Sequence, residues 1–259
     1  MHIETMKITK WLILLSLVFC RCHTTEEPDL GNPVLAIVCY PEVNDKYVYS
    51  VVPGMPEWKP ESMAAAYEFC QLPIDVLKSI STQGLIDALV HAPLFDAMYM
   101  VSSLMSFTTW QNHYGHFNSA LELFQREDAG EALVDYYKLI DFDCVTNLPF
   151  LSGISFSGRE FYRISGIEML FTKQEILDKM GHEKKKEIVA AILANLDKSD
   201  SNRITPMAFI MYADGYKPII ECVEKDPYIL DGYLHSYDLI VSCAKNYIND
   251  KIEKGKSNR

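Results

Sequence analysis

The stretch that decides the fold class is SALELFQREDAGEALVDYYKLI, residues 119–140. It opens with Ser119 and Glu122, the spacing of a capping box, in which two side chains satisfy backbone N–H groups at the start of a helix. Apolar side chains then recur at helical spacing: Ala129, Leu133, Tyr136, Tyr137 and Ile140. A stripe with this period is typical of a helix that buries one face. The stretch therefore predicts amphipathic helical structure.

Similar helix signals occur on both sides of this stretch. Ser81 or Thr82 can cap a run that ends at His91, and Thr172 with Glu175 forms a second capping box. Proline at position 206 and Gly215 match the preference for proline at the start of a helix and glycine after its end. We therefore predict an all-α fold, an antiparallel helical bundle or α-hairpin array of roughly eight to eleven helices.

A faint internal similarity joins residues 81–87, STQGLID, to residues 172–178, TKQEILD. In this alignment His91 falls opposite His182. A duplicated helical unit, as in a stacked array, is one explanation. Two similarly capped helices are the other, and we favour this one because the match covers only about one helix.

The first 22 residues have the pattern of a signal peptide. Lys7 and Lys10 precede an apolar run at positions 11–19, and the small residues Cys20 and Cys22 follow. A membrane-spanning helix needs roughly 20 apolar residues, so this run is too short to remain as a span. The sequence therefore predicts export.

Two ways of ending the signal peptide remain open. In one, Cys20 carries a lipid, and Pro28, Gly31 and Pro33 form a tether between membrane and domain. Phe19 argues against it, because a lipoprotein signal has a small residue before the modified cysteine. In the other, cleavage follows Cys22 and the protein is released. The expected location is the periplasm, outer membrane or cell surface in the first case and the medium in the second, with contact to a membrane only through the lipid.

Two further segments follow the signal peptide. Residues 23–59 are rich in Pro and Gly and contain two short β-like runs, 34–40 and 46–52, so we expect an irregular or β-hairpin-like N-terminal arm. Residues 60–259 have helical periodicity throughout and are expected to form one helical domain.

Five cysteines remain after residues 1–22: Cys39, Cys70, Cys144, Cys222 and Cys243. Export permits disulfides, but the number is odd and no C-x-x-C pair occurs. Each cysteine lies among apolar residues, which favours buried free thiols over disulfides. Their pairing stays open at this level.

The charge balance argues against a nucleic-acid partner. Removal of residues 1–22, which hold three basic residues and one acidic residue, leaves 21 basic and 34 acidic residues, a net charge of −13. A polyanion-binding protein needs a clustered basic face. The densest basic cluster, residues 184–186, lies between Glu183 and Glu187 and is better explained as a solvated helix face.

The clearest polar cluster in the sequence is His113 and His116 with Asn118. Histidines three residues apart can share a metal ion on one helix face, but Gly115 weakens a helix there and no carboxylate has the usual spacing. A turn whose polar side chains satisfy backbone groups explains the same residues. We therefore predict no metal, no cofactor and no catalytic residue.

Several segments resemble a family of known sequences. These are EFCQLP at 68–73, STQGL at 81–85, FNS at 117–119 through EL at 122–123, and REDA at 126–129, and the resemblance extends through EML at 168–170 to KKKE at 184–187. They resemble uncharacterised exported helical proteins of gut Bacteroidetes and some bacilli. The resemblance implies an exported, all-helical bacterial protein and carries no activity with it.

Two functions are therefore compatible with the sequence. The first is a cell-envelope or secreted binding protein without catalytic activity, which holds a protein, peptide or glycan partner. The second is a hydrolase of envelope or dietary polymers. It requires folding to bring Glu122, Asp128, His113 and His116 into one site.

Overall fold

The computed structural model describes residues 39–101, 112–151, 154–198, 203–225 and 237–257. The α-helices in these ranges are α1 (Met63–Glu68), α2 (Ile74–Ser79), α3 (Thr82–Val90), α4 (Pro93–Val101), α5 (Asn118–Leu123), α6 (Ala129–Lys138), α7 (Phe142–Thr146), α8 (Phe156–Leu170), α9 (Gln174–Leu177), α10 (His182–Ala194), α11 (Ile204–Ala213), α12 (Lys217–Lys225) and α13 (Tyr237–Ser257). A 3-10 turn spans Leu196–Lys198, and the two-residue strands β1 (Phe150–Leu151) and β2 (Ile154–Ser155) pair antiparallel.

The all-α class is confirmed. The described ranges contain thirteen α-helices, more than the expected eight to eleven. The difference arises because five of them have six residues or fewer, too few for a helical period to appear in the sequence.

Some of the predicted helix ends are correct. The Ser81 hydroxyl accepts a hydrogen bond from the backbone N–H of Gly84 at 3.0 Å and so caps α3. Gly215 follows α11 with a φ of +71°, a left-handed conformation that glycine adopts without strain, and the backbone N–H of Tyr216 donates to the carbonyl of Met211.

Both predicted capping boxes are wrong. Ser119 lies inside α5, which begins at Asn118, and the Thr172 hydroxyl donates to the carbonyl of Met169 at the end of α8. Each of these helices begins without a side-chain cap. The Asn118 side chain, which lies at the start of α5, binds the backbone of Leu72 on a neighbouring segment instead. A tertiary contact has replaced the local one that the sequence favours.

The longer helices α3, α6 and α10 form a row in which neighbours run parallel. Their hydrogen bonds join Tyr136 to Asp87 at 2.9 Å, Lys184 to Asp135 at 3.0 Å and Lys138 to Glu187 at 3.0 Å, each pair separated by 49 residues. The last two bonds have the same separation at different heights, which requires α6 and α10 to point the same way. The final helix α13 packs on α10.

The short helices α2, α5 and α9 form a second parallel row. After α5, the Arg126 guanidinium donates to the carbonyls of Leu77 and Ile80 at the end of α2, at 3.3 and 3.2 Å. After α9, the Lys179 amine donates to the carbonyls of Phe124 and Arg126 at the end of α5, at 2.8 and 2.9 Å. The last carbonyls of a helix lack intrahelical partners and carry the negative end of its dipole, so a cation stabilises them. The fold is therefore a stacked array of helical units.

The similarity between residues 81–87 and 172–178 does not mark this repeat. Residues 81–87 cap and begin the long helix α3, whereas residues 172–178 contain the short helix α9. The favoured explanation of two similarly capped helices is also wrong, because the Ser81 side chain caps α3 whereas α9 begins without a side-chain cap. The long helices α3 and α6 occupy equivalent places in the row. Their sequences match only weakly, as LID at 85–87 and LVD at 133–135.

The described part of the N-terminal arm, residues 39–59, contains neither helix nor strand and packs on the array. The Asp45 carboxylate accepts hydrogen bonds from the backbone N–H and hydroxyl of Ser81, and the Tyr49 hydroxyl donates to the carbonyl of Ala88 at 3.1 Å. Its buried residues belong to the same apolar core as those of the helices.

A disulfide joins Cys39 of the arm to Cys144 of α7, with 5.5 Å between the Cα atoms. The prediction of free thiols is wrong for these two residues, because a pairing across 105 positions leaves no local signal in the sequence. Cys70 and Cys243 are buried free thiols, as expected, and Cys222 is a half-buried free thiol.

Candidate functional site

A cluster of buried and half-buried charged side chains lies where α3, α4 and α8 meet the N-terminal arm. We call it the ionic cluster, and it consists of the buried Asp87, Glu160 and Arg163 and the half-buried His91 and Asp96. Tyr40 of the arm contacts both sides of the cluster, the α3 side with His91 and the α8 side with Glu160. The ring of Tyr40 packs edge-on against His91, with 5.0 Å between ring centroids, and its hydroxyl donates to the carbonyl of Glu160 at 3.3 Å.

Arg163 organises the α8 side of the ionic cluster. It donates to both carboxylate oxygens of Asp96, at 2.5 and 2.7 Å, and to Glu160, three residues earlier on the same helix face, at 3.2 Å. Arg159 also binds Glu160, at 2.9 Å. Burial acts to raise the pKa of Glu160, but Arg163 and Arg159 hold it below its ordinary value. Glu160 is therefore an ionised carboxylate.

Asp87 organises the α3 side. The His91 ring nitrogen Nδ1 lies 2.8 Å from the backbone carbonyl of Asp87, the hydroxyl of Tyr136 donates to its carboxylate at 2.9 Å, and the amine of Lys46 lies 3.5 Å away. Burial acts to raise the pKa of Asp87, but His91, Lys46 and Tyr136 together hold it below its ordinary value. His91 Nε2 is buried and has no hydrogen-bond partner among the residues that the structure describes.

The ionic cluster neutralises its own charge, because its three carboxylates face Arg159, Arg163 and Lys46. The thiol of Cys70 is fully buried, and burial raises its pKa to about 12. The negative charge of Asp96 also acts to raise this pKa. A thiol with such a pKa is not a nucleophile at neutral pH. The arrangement suits a structural junction between arm and helices better than acid–base or nucleophilic chemistry.

A second buried pair joins Glu168 of α8 to Arg203, which lies just before α11. Arg203 Nε lies 3.1 Å from Glu168, the hydroxyl of Tyr137 donates to the same carboxylate at 2.7 Å, and Arg203 also binds the carbonyl of Asn195. Burial raises the pKa of Glu168 to about 7, against the opposing effects of Arg203 and Tyr137. The guanidinium also packs over the ring of Phe142, 4.8 Å from its centroid.

The predicted polar residues His113, His116 and Asn118 connect their own segment to α1 and the turn that follows it. His113 Nδ1 hydrogen-bonds to the hydroxyl of Tyr67 at 2.6 Å, and His116 stacks on the ring of Tyr67 with 4.3 Å between centroids. Asn118 accepts from the backbone N–H of Leu72 at 2.9 Å and donates to its carbonyl at 2.8 Å. Burial, and secondarily His116, lowers the pKa of His113. In the described ranges no three His, Cys, Asp or Glu side chains are placed to hold a metal ion.

The four groups that a hydrolase requires have separate partners. Glu122 pairs with Arg126 at 2.8 Å, and Asp128 accepts a hydrogen bond from the Thr82 hydroxyl at 2.8 Å. His113 and His116 both face Tyr67 instead. Among the described residues, no hydrogen bond or ion pair joins either carboxylate to either histidine. The convergence that this alternative needs is not observed.

The sequence interpretation missed both buried charge sites. Their members were visible only as charges inside apolar segments, such as Asp87 within LIDALV at 85–90 and Arg203 directly before ITPMAFIM at 204–211. A charge in such a segment indicates a buried pair, because an unpaired one is costly. The sequence does not indicate which residue is the partner of such a charge, because that residue is often far along the chain.

The lowered pKa values predict a specific loss of stability in acid. The unfolded chain protonates Asp87 and Glu160 near their ordinary values, 3.8 and 4.5, whereas the folded chain resists protonation. Their stabilising contribution is therefore present above those values and is lost as pH falls through the lower folded-state pKa. We expect Asp87→Asn to be less stable than wild type at neutral pH but to lose less further stability between about pH 5 and pH 3.

The measurement is urea unfolding, followed by circular dichroism, across this pH range. Asp143→Asn is the control, because Asp143 is largely exposed and its pair with Lys198 lies at the surface. It should follow the wild-type profile. Parallel profiles for wild type and Asp87→Asn would contradict the assignment of Asp87.

The chain matches no protein-family model, no curated protein and no solved structure. None of the helices that the structure describes combines the length and apolar character that a bilayer crossing requires. The function of the protein must therefore be argued from the contacts within the array and its buried clusters.

Proposed function

We propose that the protein is an exported binding protein without catalytic activity, and that the row of short helices is its binding edge. The observation that carries the proposal is a pair of exposed apolar side chains at equivalent positions of adjacent units. Ile74 of α2 is 69% exposed and Leu121 of α5 is 49% exposed. Large apolar side chains exposed at matching positions are typical of an interaction surface.

The equivalence of Ile74 and Leu121 follows from the stacking contacts. Leu77 and Phe124 play the same part in successive units, since the carbonyl of each accepts from the cation of the next unit. Ile74 and Leu121 lie three residues before them. Because α2 and α5 run side by side in the same direction, the two side chains lie at the same height on neighbouring helices, whose axes are typically about 8–10 Å apart.

The edge around these two side chains is acidic. Of the exposed charged residues in α2, α5, α9 and the turns that follow them, five are acidic and one is basic: Asp75, Glu127, Asp128, Glu175, Asp178 and Lys78. The cations Arg126 and Lys179 are held by backbone carbonyls between the helices. The partner that fits is a protein or peptide segment that combines basic and apolar side chains.

The proposed location outside the cytoplasm is supported by the bond between Cys39 and Cys144. Disulfides persist in oxidising compartments and are rare in the cytosol. The signal-peptide pattern at 1–22 and the resemblance to exported proteins agree with this, and both that segment and Cys20 lie outside the described residues. A lipid on Cys20 or release after Cys22 would equally place the binding edge outside the cytoplasm.

The absence of catalysis in this proposal is supported by the chemistry of the buried clusters. Their carboxylates are neutralised by neighbouring guanidinium and amine groups, and the Cys70 thiol is protonated at neutral pH. These features stabilise a scaffold. They do not provide an activated nucleophile. Glu168 has the pKa of a general base, about 7, but it is buried against Arg203 and Tyr137, out of reach of a substrate.

The test is a selection of random peptides displayed on phage against the immobilised protein, repeated with two variants. The variant Ile74→Ser/Leu121→Ser removes the apolar pair. The control Leu139→Ser removes an apolar side chain that is 63% exposed elsewhere on the surface. We expect enriched peptides rich in Lys, Arg and large apolar residues, with binding at least about tenfold weaker to the double variant and unchanged for the control. No enrichment, or equal binding to all three proteins, would overturn the proposal.

A further inference from the structure

The last two helices of the array carry two cysteines that face each other. Cys222 lies on α12 and Cys243 on α13, and these helices pack together. Cys222 is half-buried and Cys243 is buried. The two thiols are within hydrogen-bonding reach of each other. Burial, together with the neighbouring Cys222, raises the pKa of Cys243 to about 11.

We propose that Cys222 and Cys243 form a second disulfide in the exported protein, which joins α12 to α13. The thiols already lie on packed helices and within reach of each other, so the bond would join two neighbouring elements. The bond is independent of the binding edge, because the edge is built from α2, α5 and α9. It rests on export only in requiring an oxidising compartment.

The oxidation needs an acceptor for two electrons, and an oxidised dithiol of the export compartment supplies it. The thiolate of Cys222, the more exposed of the two, attacks the acceptor disulfide and displaces one of its sulfurs as a thiolate. In this mixed disulfide the Cys222 thiol no longer raises the pKa of Cys243. Cys243 then loses its proton and attacks the adjacent Cys222 sulfur within the same molecule, which releases the second acceptor sulfur as a thiolate. The two protein thiols lose two protons and two electrons, and the acceptor becomes a dithiol.

The second bond also resolves the odd number of cysteines. Cys39 is paired with Cys144, and the bond between Cys222 and Cys243 leaves Cys70 as the single free thiol of residues 23–259. Cys70 is fully buried, and its thiol donates to the carbonyl of Ala66 at 3.6 Å. It is therefore shielded from the oxidant. An exported protein with one inaccessible thiol and two disulfides exposes no reactive cysteine from this part of its chain.

The bond would also secure α12, which makes few other contacts with the described elements. The helix α13 packs on α10, α11 and α12, whereas α12 packs mainly on α11 and α13. An element with few packed neighbours opens more readily than one packed on several sides. The second disulfide would therefore hold α12 covalently against α13.

The test is a disulfide map of the full chain, expressed with export and treated with an alkylating reagent during lysis. Trypsin is expected to release residues 204–225 and 226–245 as separate peptides, one with Cys222 and the other with Cys243. We expect these two peptides to be linked without reductant and separate after reduction. The link between Cys39 and Cys144 in the same sample shows that oxidation took place. Recovery of that link with Cys222 and Cys243 both alkylated would overturn the proposal.

A second measurement separates the bond from simple packing. We expect Cys222→Ala, Cys243→Ala and the double variant to lower the melting temperature of the oxidised protein by a similar amount, about 5–10 °C, because each abolishes the same cross-link. Additive losses from the two single variants would indicate independent packing contributions and would contradict the cross-link. Neither outcome depends on whether the binding edge selects peptides.

Discussion

Replacing Cys39 and Cys144 together by serine will lower the free energy of unfolding by about 4 kcal/mol. The disulfide closes a loop of 105 residues and so removes much conformational entropy from the unfolded chain. It also anchors the arm, whose Tyr40 lies against both halves of the ionic cluster. The measurement is urea unfolding of both proteins without reductant, followed by circular dichroism.

Limited proteolysis provides the structural control for this variant. The trypsin site after Lys46 lies in the arm and should be cleaved faster once the arm is released, whereas sites within α10 should change little at first. Equal urea midpoints for the variant and for wild-type protein with a verified disulfide would contradict the predicted role of the bond.

Replacing Arg203 by methionine will be similarly costly, with an expected loss of about 3–5 kcal/mol. Arg203 and Glu168 are both buried, and the guanidinium compensates a carboxylate that also accepts a hydrogen bond from the Tyr137 hydroxyl at 2.7 Å. Without Arg203, Glu168 must either remain charged in an apolar environment or take up a proton. Burial already raises the pKa of Glu168 to about 7, so protonation should then occur at neutral pH.

Two further variants test this explanation. Arg203→Met combined with Glu168→Gln should recover part of the lost stability, because no buried charge remains. Lys138→Met is the surface control, since its pair with Glu187 is exposed and should contribute less than about 1 kcal/mol. A double variant no more stable than Arg203→Met would show that the loss comes from packing over Phe142 rather than from charge.

The helices were largely predictable from the sequence, whereas their stacking was not. Leu133, Tyr136 and Tyr137 are buried as the helical stripe predicts, because that period depends only on local geometry. The repeat is harder to see because its length changes. Leu77 and Phe124 are 47 positions apart, whereas Arg126 and Lys179 are 53 apart, with β1, β2 and the long helix α8 inside the second interval.

The candidate sites also differ in how far the sequence alone could predict them. His113, His116 and Asn118 are close in sequence, so their local association was predictable, although their partners Tyr67 and Leu72 were not. The ionic cluster joins Asp96 to Arg163 across 67 residues, and only the fold brings them together. The disulfide was missed for the same reason, since an apolar setting is compatible with either a free or a paired cysteine.

The cations Arg126 and Lys179 give the array a direction of growth. The helices α2 and α5 each receive a closing donor from a residue about 50 positions further along the chain, so neither is completed by its own residues. A chain that emerges N-terminus first during synthesis therefore leaves the end of α2 open until Arg126 arrives, and the end of α5 open until Lys179 arrives. Maturation of these two helices is expected to proceed vectorially, with a later segment finishing each one.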